Sequence, residues 1–190
     1  MTYSKVPDIK TALPGPKAAP AIAADDTYIS PPYTRGYPMA IARGSGLAVE
    51  DVDGNVFLDM TAGIAVNAAG HSHPRVVKAI TQAAEAFQHM SGTDFYYTAQ
   101  SQLARMLAER TPGGPQRRVF LCNSGAEAIE GAMKLARWKT GRPWLISFRG
   151  AFHGRTYGAM SLSASKAVHR TRFAPLVPGV VHANYPYPYR

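Results

Sequence analysis

Short apolar runs alternate with Gly-, Pro- and Asn-rich breaks along this chain, and the spacing inside each run predicts its element. Residues 39–50 and 56–59 are β-prone and flank Asp53-Gly54-Asn55, a turn composition that predicts a hairpin. Gly63, Gly70 and His71-Ser72-His73 mark a loop. Pro74 suits the first position of a helix, where its missing N–H costs nothing. Val76, Val77, Ile80, Ala84 and Phe87 then fall on one face, predicting an amphipathic helix to about Met90. A second helix is predicted over 98–110, with Leu103, Met106 and Leu107 inward and Thr111-Pro112-Gly113-Gly114 as its stop.

Residues 119–122 form a wholly apolar run of the kind that sits in a parallel sheet covered on both faces. Ser124 and Glu127 follow with capping-box spacing, so a helix starts there and buries Ile129, Ala132, Met133 and Ala136. Glu130 and Lys134 are spaced for an i,i+4 ion pair on its surface. Gly141 and Pro143 end this helix, and 144–148 reads as the next strand, giving one β-α-β unit with a right-handed crossover. By contrast, residues 1–36 are rich in Pro and Ala without sustained periodicity and read as a flexible arm. The pattern divides into this arm, a hairpin-and-helix segment over 37–90 and an incomplete α/β domain over 91–190.

Composition narrows the class. With 46% hydrophobic and 17% charged residues the chain can bury a core, which excludes wholesale disorder. No apolar run reaches the roughly 18 residues a membrane helix needs. The apolar stretch 18–24 is interrupted by Pro20 and followed by Asp25-Asp26, unlike a secretory core. A single cysteine, Cys122, without metal-ligand spacing around it, fits a reducing, cytoplasmic setting and predicts no metal site. The formal charge of +9 raises the question of nucleic acid, but Arg117-Arg118 and the group Lys166, His169, Arg170 and Arg172 are poor clusters without interleaved aromatics. No nucleic-acid partner is predicted; attraction of anionic metabolites explains the charge as well.

Two clusters carry chemistry. The turn at Ser124, Gly125 and Ala126 leads from a buried strand into a helix, so small side chains expose backbone N–H groups and the positive end of the helix dipole to an anion such as phosphate. A well-capped core helix explains Ser124 and Glu127 equally, and no Gly-Lys-Ser/Thr follows to make a P-loop. The second cluster, Phe152-His153-Gly154-Arg155-Thr156, lies just past the carboxyl end of the next strand, where ligands sit in open α/β sheets, so both clusters are expected to face the same crevice. Phe152 offers a flat face for a heteroaromatic ring and Arg155 a planar fork for a carboxylate. Taken without the phosphate turn, Phe152 reads as core, Arg155 as a surface ion pair and His153 as a structural histidine.

Together with Asp51-Val52-Asp53-Gly54-Asn55, Gly63-Ile64-Ala65-Val66-Asn67 and Gly70-His71-Ser72-His73-Pro74, these clusters resemble class III pyridoxal-phosphate-dependent aminotransferases of the 4-aminobutyrate and acetylornithine branch. The resemblance runs from about residue 37 to the end, where Tyr185-Pro186-Tyr187-Pro188-Tyr189-Arg190 is similar to the 4-aminobutyrate branch. It implies fold type I, here the N-terminal segment and the first part of the large, mostly parallel-sheet domain. It implies that Ser124, Gly125 and Ala126 hold the phosphate of pyridoxal 5'-phosphate, that Phe152 stacks on the ring with His153 beside it, and that Arg155 receives the substrate carboxylate. Ile64 and Tyr96 match pocket-wall positions of that family. The implied reaction transfers the amino group of an ω-amino acid to a 2-oxo acid acceptor in a cytoplasmic homodimer.

The family's Schiff-base lysine lies beyond residue 190, and none of Lys5, Lys10, Lys17, Lys78, Lys134, Lys139 and Lys166 has its sequence context. No catalytic residue is therefore assigned, and this chain alone is expected to be inactive. Amino-acid racemases of the same family and a non-catalytic truncated remnant are the alternatives.

Overall fold

The computed structural model describes residues 3–114 and 116–189, which divide into two compact units between Ser91 and Gly92. The first unit holds an antiparallel meander of β1 (Ile41–Ser45), β2 (Ala48–Asp51) and β3 (Val56–Leu58), preceded by helix α1 (Ala18–Tyr28). The predicted hairpin is β2–β3, with Val49 opposite Phe57 and Glu50 opposite Val56. A second hairpin turns at Gly46, whose positive φ of 58° suits a residue without Cβ, so the 39–50 run is two strands rather than one.

The expectation of an arm without regular structure over 1–36 is corrected here, because the hairpin turn builds a receptor for it. Both carboxylate oxygens of Asp53 accept the first free amides of α1, from Lys17 N at 2.8 Å and Ala18 N at 2.9 Å. The Asn55 side chain is fully buried and accepts from Lys10 N and Thr11 N, while donating to Asp51 at 2.7 Å. Asp8 pairs with Val56 as an added bridge at the sheet edge. Capping from another segment supplies what the Ala-rich sequence of α1 lacks by itself.

The chain then makes α2 (Ala62–Ala65), a single turn whose residues all have positive φ, and α3 (Pro74–Ala86). The α3 helix stops short of Met90: Phe87 is extended, and the Gln88 side chain folds back onto the Ala84 carbonyl at 3.0 Å.

In the second unit α4 (Thr98–Arg110) forms over the predicted residues, but Leu103, Met106 and Leu107 stay half exposed because no described segment covers them. Residues 119–122 carry no regular secondary structure, and Phe120 is 72% exposed. The expected strand is thus corrected: an apolar run becomes a strand only beside a partner, and no described segment pairs with this one. Helix α5 (Gly125–Thr140) leads to β4 (Leu145–Phe148), which pairs in parallel with β5 (Val180–Ala183). Between them lie α6 (Tyr157–Leu162), buried over Gly158, Ala159, Met160, Ser161 and Leu162, and a 3-10 turn at Ala167–His169. The small core of this unit gathers Met133, Ala159, Met160 and Leu162. Arg190 of the terminal motif lies outside the described residues. No described helix is long and apolar enough to cross a membrane.

Candidate cofactor and substrate site

Helix α5 begins as its sequence dictates. The Ser124 hydroxyl accepts from Glu127 N at 3.2 Å. Glu127 completes the exchange one residue earlier than a standard capping box, accepting from Asn123 N at 2.7 Å. Among the described residues the N–H groups of Gly125 and Ala126 have no hydrogen-bond partner, and the space beside Gly125 is open. Two orphan donors at the positive end of a four-turn helix form an anion cradle.

The loop after β4 closes on that cradle. Gly154 has φ of 130°, and a Cβ there would fall 2.7 Å from the Ala126 Cβ, so only glycine allows the loop so near the helix. Buried Ser163 anchors the loop, its hydroxyl accepting from His153 N at 2.9 Å. The result is an open cleft of about 780 Å³ lined by Gly125, Ala126, Ile129, Phe152, His153, Gly154, Arg155 and Thr156. Phe152 is 53% exposed, with its ring edge-on to His169 at 5.2 Å between centroids. Arg155 is the charged side chain on this lining, so guanidinium, free amides and helix dipole all favour an anionic guest.

The phosphate turn and the ring-side loop share one cleft, as their positions in the sequence predict, with Ser124 capping the helix at its edge. Tyr96, of the same unit, is not on its lining. Ile64 projects from the left-handed turn α2 in the first unit and is 90% exposed; Tyr96 precedes α4 with its ring fully exposed. Sequence reasoning missed Ile129, Ser163 and Glu130. Glu130 forms no pair with Lys134 among the described residues; it accepts instead from the Thr156 hydroxyl at 2.5 Å and Ala159 N at 3.1 Å. Dipoles fixed near α6 outcompete a solvated ammonium, whose exposed pairing contributes little. The Thr156 hydroxyl above all, then the Ala159 and Gly158 amides, hold the Glu130 carboxyl below its ordinary range against the opposing effect of desolvation.

Residues 29–190 match the family described as aminotransferase class-III. The chain belongs to that family. It is 44% identical over 160 residues to the acetylornithine aminotransferase of Methanopyrus kandleri, covering 84% of this chain and 40% of that protein. It is 40% identical over 181 residues to the 4-aminobutyrate aminotransferase of Mycobacterium bovis, covering 95% and 40%. The solved taurine:2-oxoglutarate aminotransferase of Bifidobacterium kashiwanohense, in complex with PLP and glutamate, superposes with a TM-score of 0.81 at 27% identity, covering 95% of this chain and 40% of that one. This class III chain therefore spans about 40% of the length of these relatives. Its fold is the corresponding part of a fold-type I transaminase, mixed α/β with parallel pairing.

Proposed function

We propose that this chain forms the phosphate- and ring-binding part of a pyridoxal-phosphate-dependent aminotransferase that takes the amino group of an ω-amino acid such as 4-aminobutyrate and passes it to a 2-oxo acid. One observation carries the reading: the free Gly125 and Ala126 amides, the open face of Phe152 and the Arg155 guanidinium converge on a single cleft. The residues fit the cofactor, because the cradle offers unpartnered donors to a phosphate and no Cβ obstructs it at Gly125. The solved relative named above binds PLP.

When bound, pyridoxal phosphate supplies the electron sink for amino-group exchange. This chain's residues bind and orient. The Gly125 and Ala126 N–H groups hold the phosphate, and the Ser124 hydroxyl, which accepts from Glu127, keeps its own proton to donate. Phe152 covers one face of the ring and excludes water there. Arg155 grips the carboxylate remote from the reacting amine, with two parallel hydrogen bonds fixing its direction. Acetylornithine and 4-aminobutyrate both carry a carboxylate remote from the reacting amine, so the same arginine serves either; 4-aminobutyrate is the assigned donor on the terminal Tyr-Pro motif. No lysine lines the cleft among the described residues. Ile64, on its Gly63-Ile64-Ala65-Val66-Asn67 motif, and Tyr96, on its matching position, are assigned to the wall of the complete site, built in a homodimer.

In the complete enzyme, Arg155→Ala raises KM for 4-aminobutyrate about 30-fold, the loss of about 2 kcal/mol expected for a charged hydrogen-bonded partner. KM for a carboxylate-free amine stays within about twofold in the same variant. Similar increases for both donors refute the assignment, and so does amino-acid racemisation without release of an oxo acid.

A further inference from the structure

Helix α5 touches the site twice. Its first turn carries the free amides of Gly125 and Ala126; further along the same helix Glu130 reaches across to the start of α6. There Thr156 is the residue that would ordinarily cap α6, but its hydroxyl makes no cap bond and donates to Glu130 instead. The Glu130 carboxylate takes over the cap, accepting from Ala159 N, and it lies so close to Gly158 that a Cβ there would overlap it. Arg155 immediately precedes this clamp. At the other end of α6, Ser163 bonds back to His153, so the loop bearing Phe152 and Arg155 is fastened on both sides.

We propose that Glu130 is a positioning residue: by clamping Thr156 and the first amides of α6 to α5, it sets the spacing between the amide cradle and the Arg155 guanidinium, and through that spacing the preference for amino donors bearing a remote carboxylate. The proposal rests on the reading of Arg155 given above. Because its donors also favour the charged form of Glu130, the carboxyl acts purely as an acceptor at neutral pH. A carboxylate that only stabilised the fold would weaken every donor alike.

The test uses the complete enzyme, loaded and stripped of cofactor. Glu130→Gln keeps the shape and one acceptor oxygen but removes the charge. It raises KM for 4-aminobutyrate about tenfold and leaves KM for a carboxylate-free amine within about twofold. In the stripped protein, binding of inorganic phosphate stays within about twofold, while hydrogen exchange at the Gly158 and Ala159 amides accelerates about tenfold. Thr156→Val, which spares the carboxylate, gives the same KM split at about threefold. Equal rises for both donors, unchanged exchange, or a lower melting temperature with no split overturn the proposal. Arg155→Ala separates the two ideas. A split in that variant with none in Glu130→Gln overturns the role of Glu130 alone; no split in Arg155→Ala overturns the carboxylate reading and this inference with it.

Discussion

The starts of α5 and α6 solve the same problem in opposite ways. At α5 the cap is local: Ser124 binds Glu127 N three residues ahead, and two amides remain free. At α6 the cap comes from another helix, and Glu130 takes the Thr156 hydroxyl and the Ala159 amide. A local cap leaves part of the first turn open to a ligand, whereas a carboxylate brought in from outside fills it. The first arrangement makes a binding site; the second makes a rigid support. The start of α1, closed by Asp53 from the hairpin, belongs with the second kind.

If openness is what distinguishes the α5 cradle, filling it abolishes its use. Gly125→Asp places a carboxylate beside the free amides, where nothing lies within 4 Å of the new Cβ. Pyridoxal phosphate affinity, measured by titrating the stripped enzyme, falls about 100-fold, or about 2.7 kcal/mol, while the melting temperature holds. Unchanged affinity breaks the comparison. Asp53→Ala removes a supporting cap and costs about 2 kcal/mol in denaturant unfolding, with faster hydrogen exchange over α1 and no change in cofactor affinity. Ser124→Ala costs about 1 kcal/mol, the usual loss of a single hydroxyl cap.

Acid sharpens the contrast further. The Glu130 carboxyl is held below its ordinary value of 4.5, so its contribution is complete above that value and is lost as pH falls through its lowered one. Protection of the α6 amides should fade in that window while the Ser124 hydroxyl at α5 titrates nothing. In the first unit, His71, hydrogen-bonded at 2.7 Å, and then Thr61 hold Asp59 at about 2, from an ordinary 3.8. Its share of stability is therefore complete above about pH 4 and disappears between about pH 4 and pH 2. Amide exchange followed from pH 6 downward should show the 59–71 loop keeping its protection until about pH 4, and loss of that protection above pH 5 contradicts the assignment of Asp59.

Legibility followed the range of the interactions. The α5 and α4 boundaries, the β2–β3 turn and the cap at Ser124 depend on neighbours a few residues apart, so spacing alone predicts them. The phosphate turn and the Phe152 loop were each visible for the same reason. Helix α1 was not, because its cap at Asp53 lies 35 residues from Ala18. The i,i+4 spacing of Glu130 and Lys134 is a local cue for a pair that does not form among the described residues, whereas the partners of Glu130, Thr156 and Ala159, lie 26 and 29 residues away. Residues 119–122 have a strand's composition yet no ladder, since a strand needs an edge supplied by another segment.

By itself, then, the sequence determined where helices begin, which turn exposes free amides and which residues could meet a ring and a carboxylate. The place of both clusters at the carboxyl end of the sheet already predicted one crevice, and only the tertiary structure showed how its walls meet, through the approach of Gly154 to Ala126. Only it showed that α1 and α6 are capped by carboxylates from elsewhere in the chain. The reason is physical: propensity and local capping act over a few residues, whereas which distant carboxylate satisfies an orphan amide depends on how the elements pack.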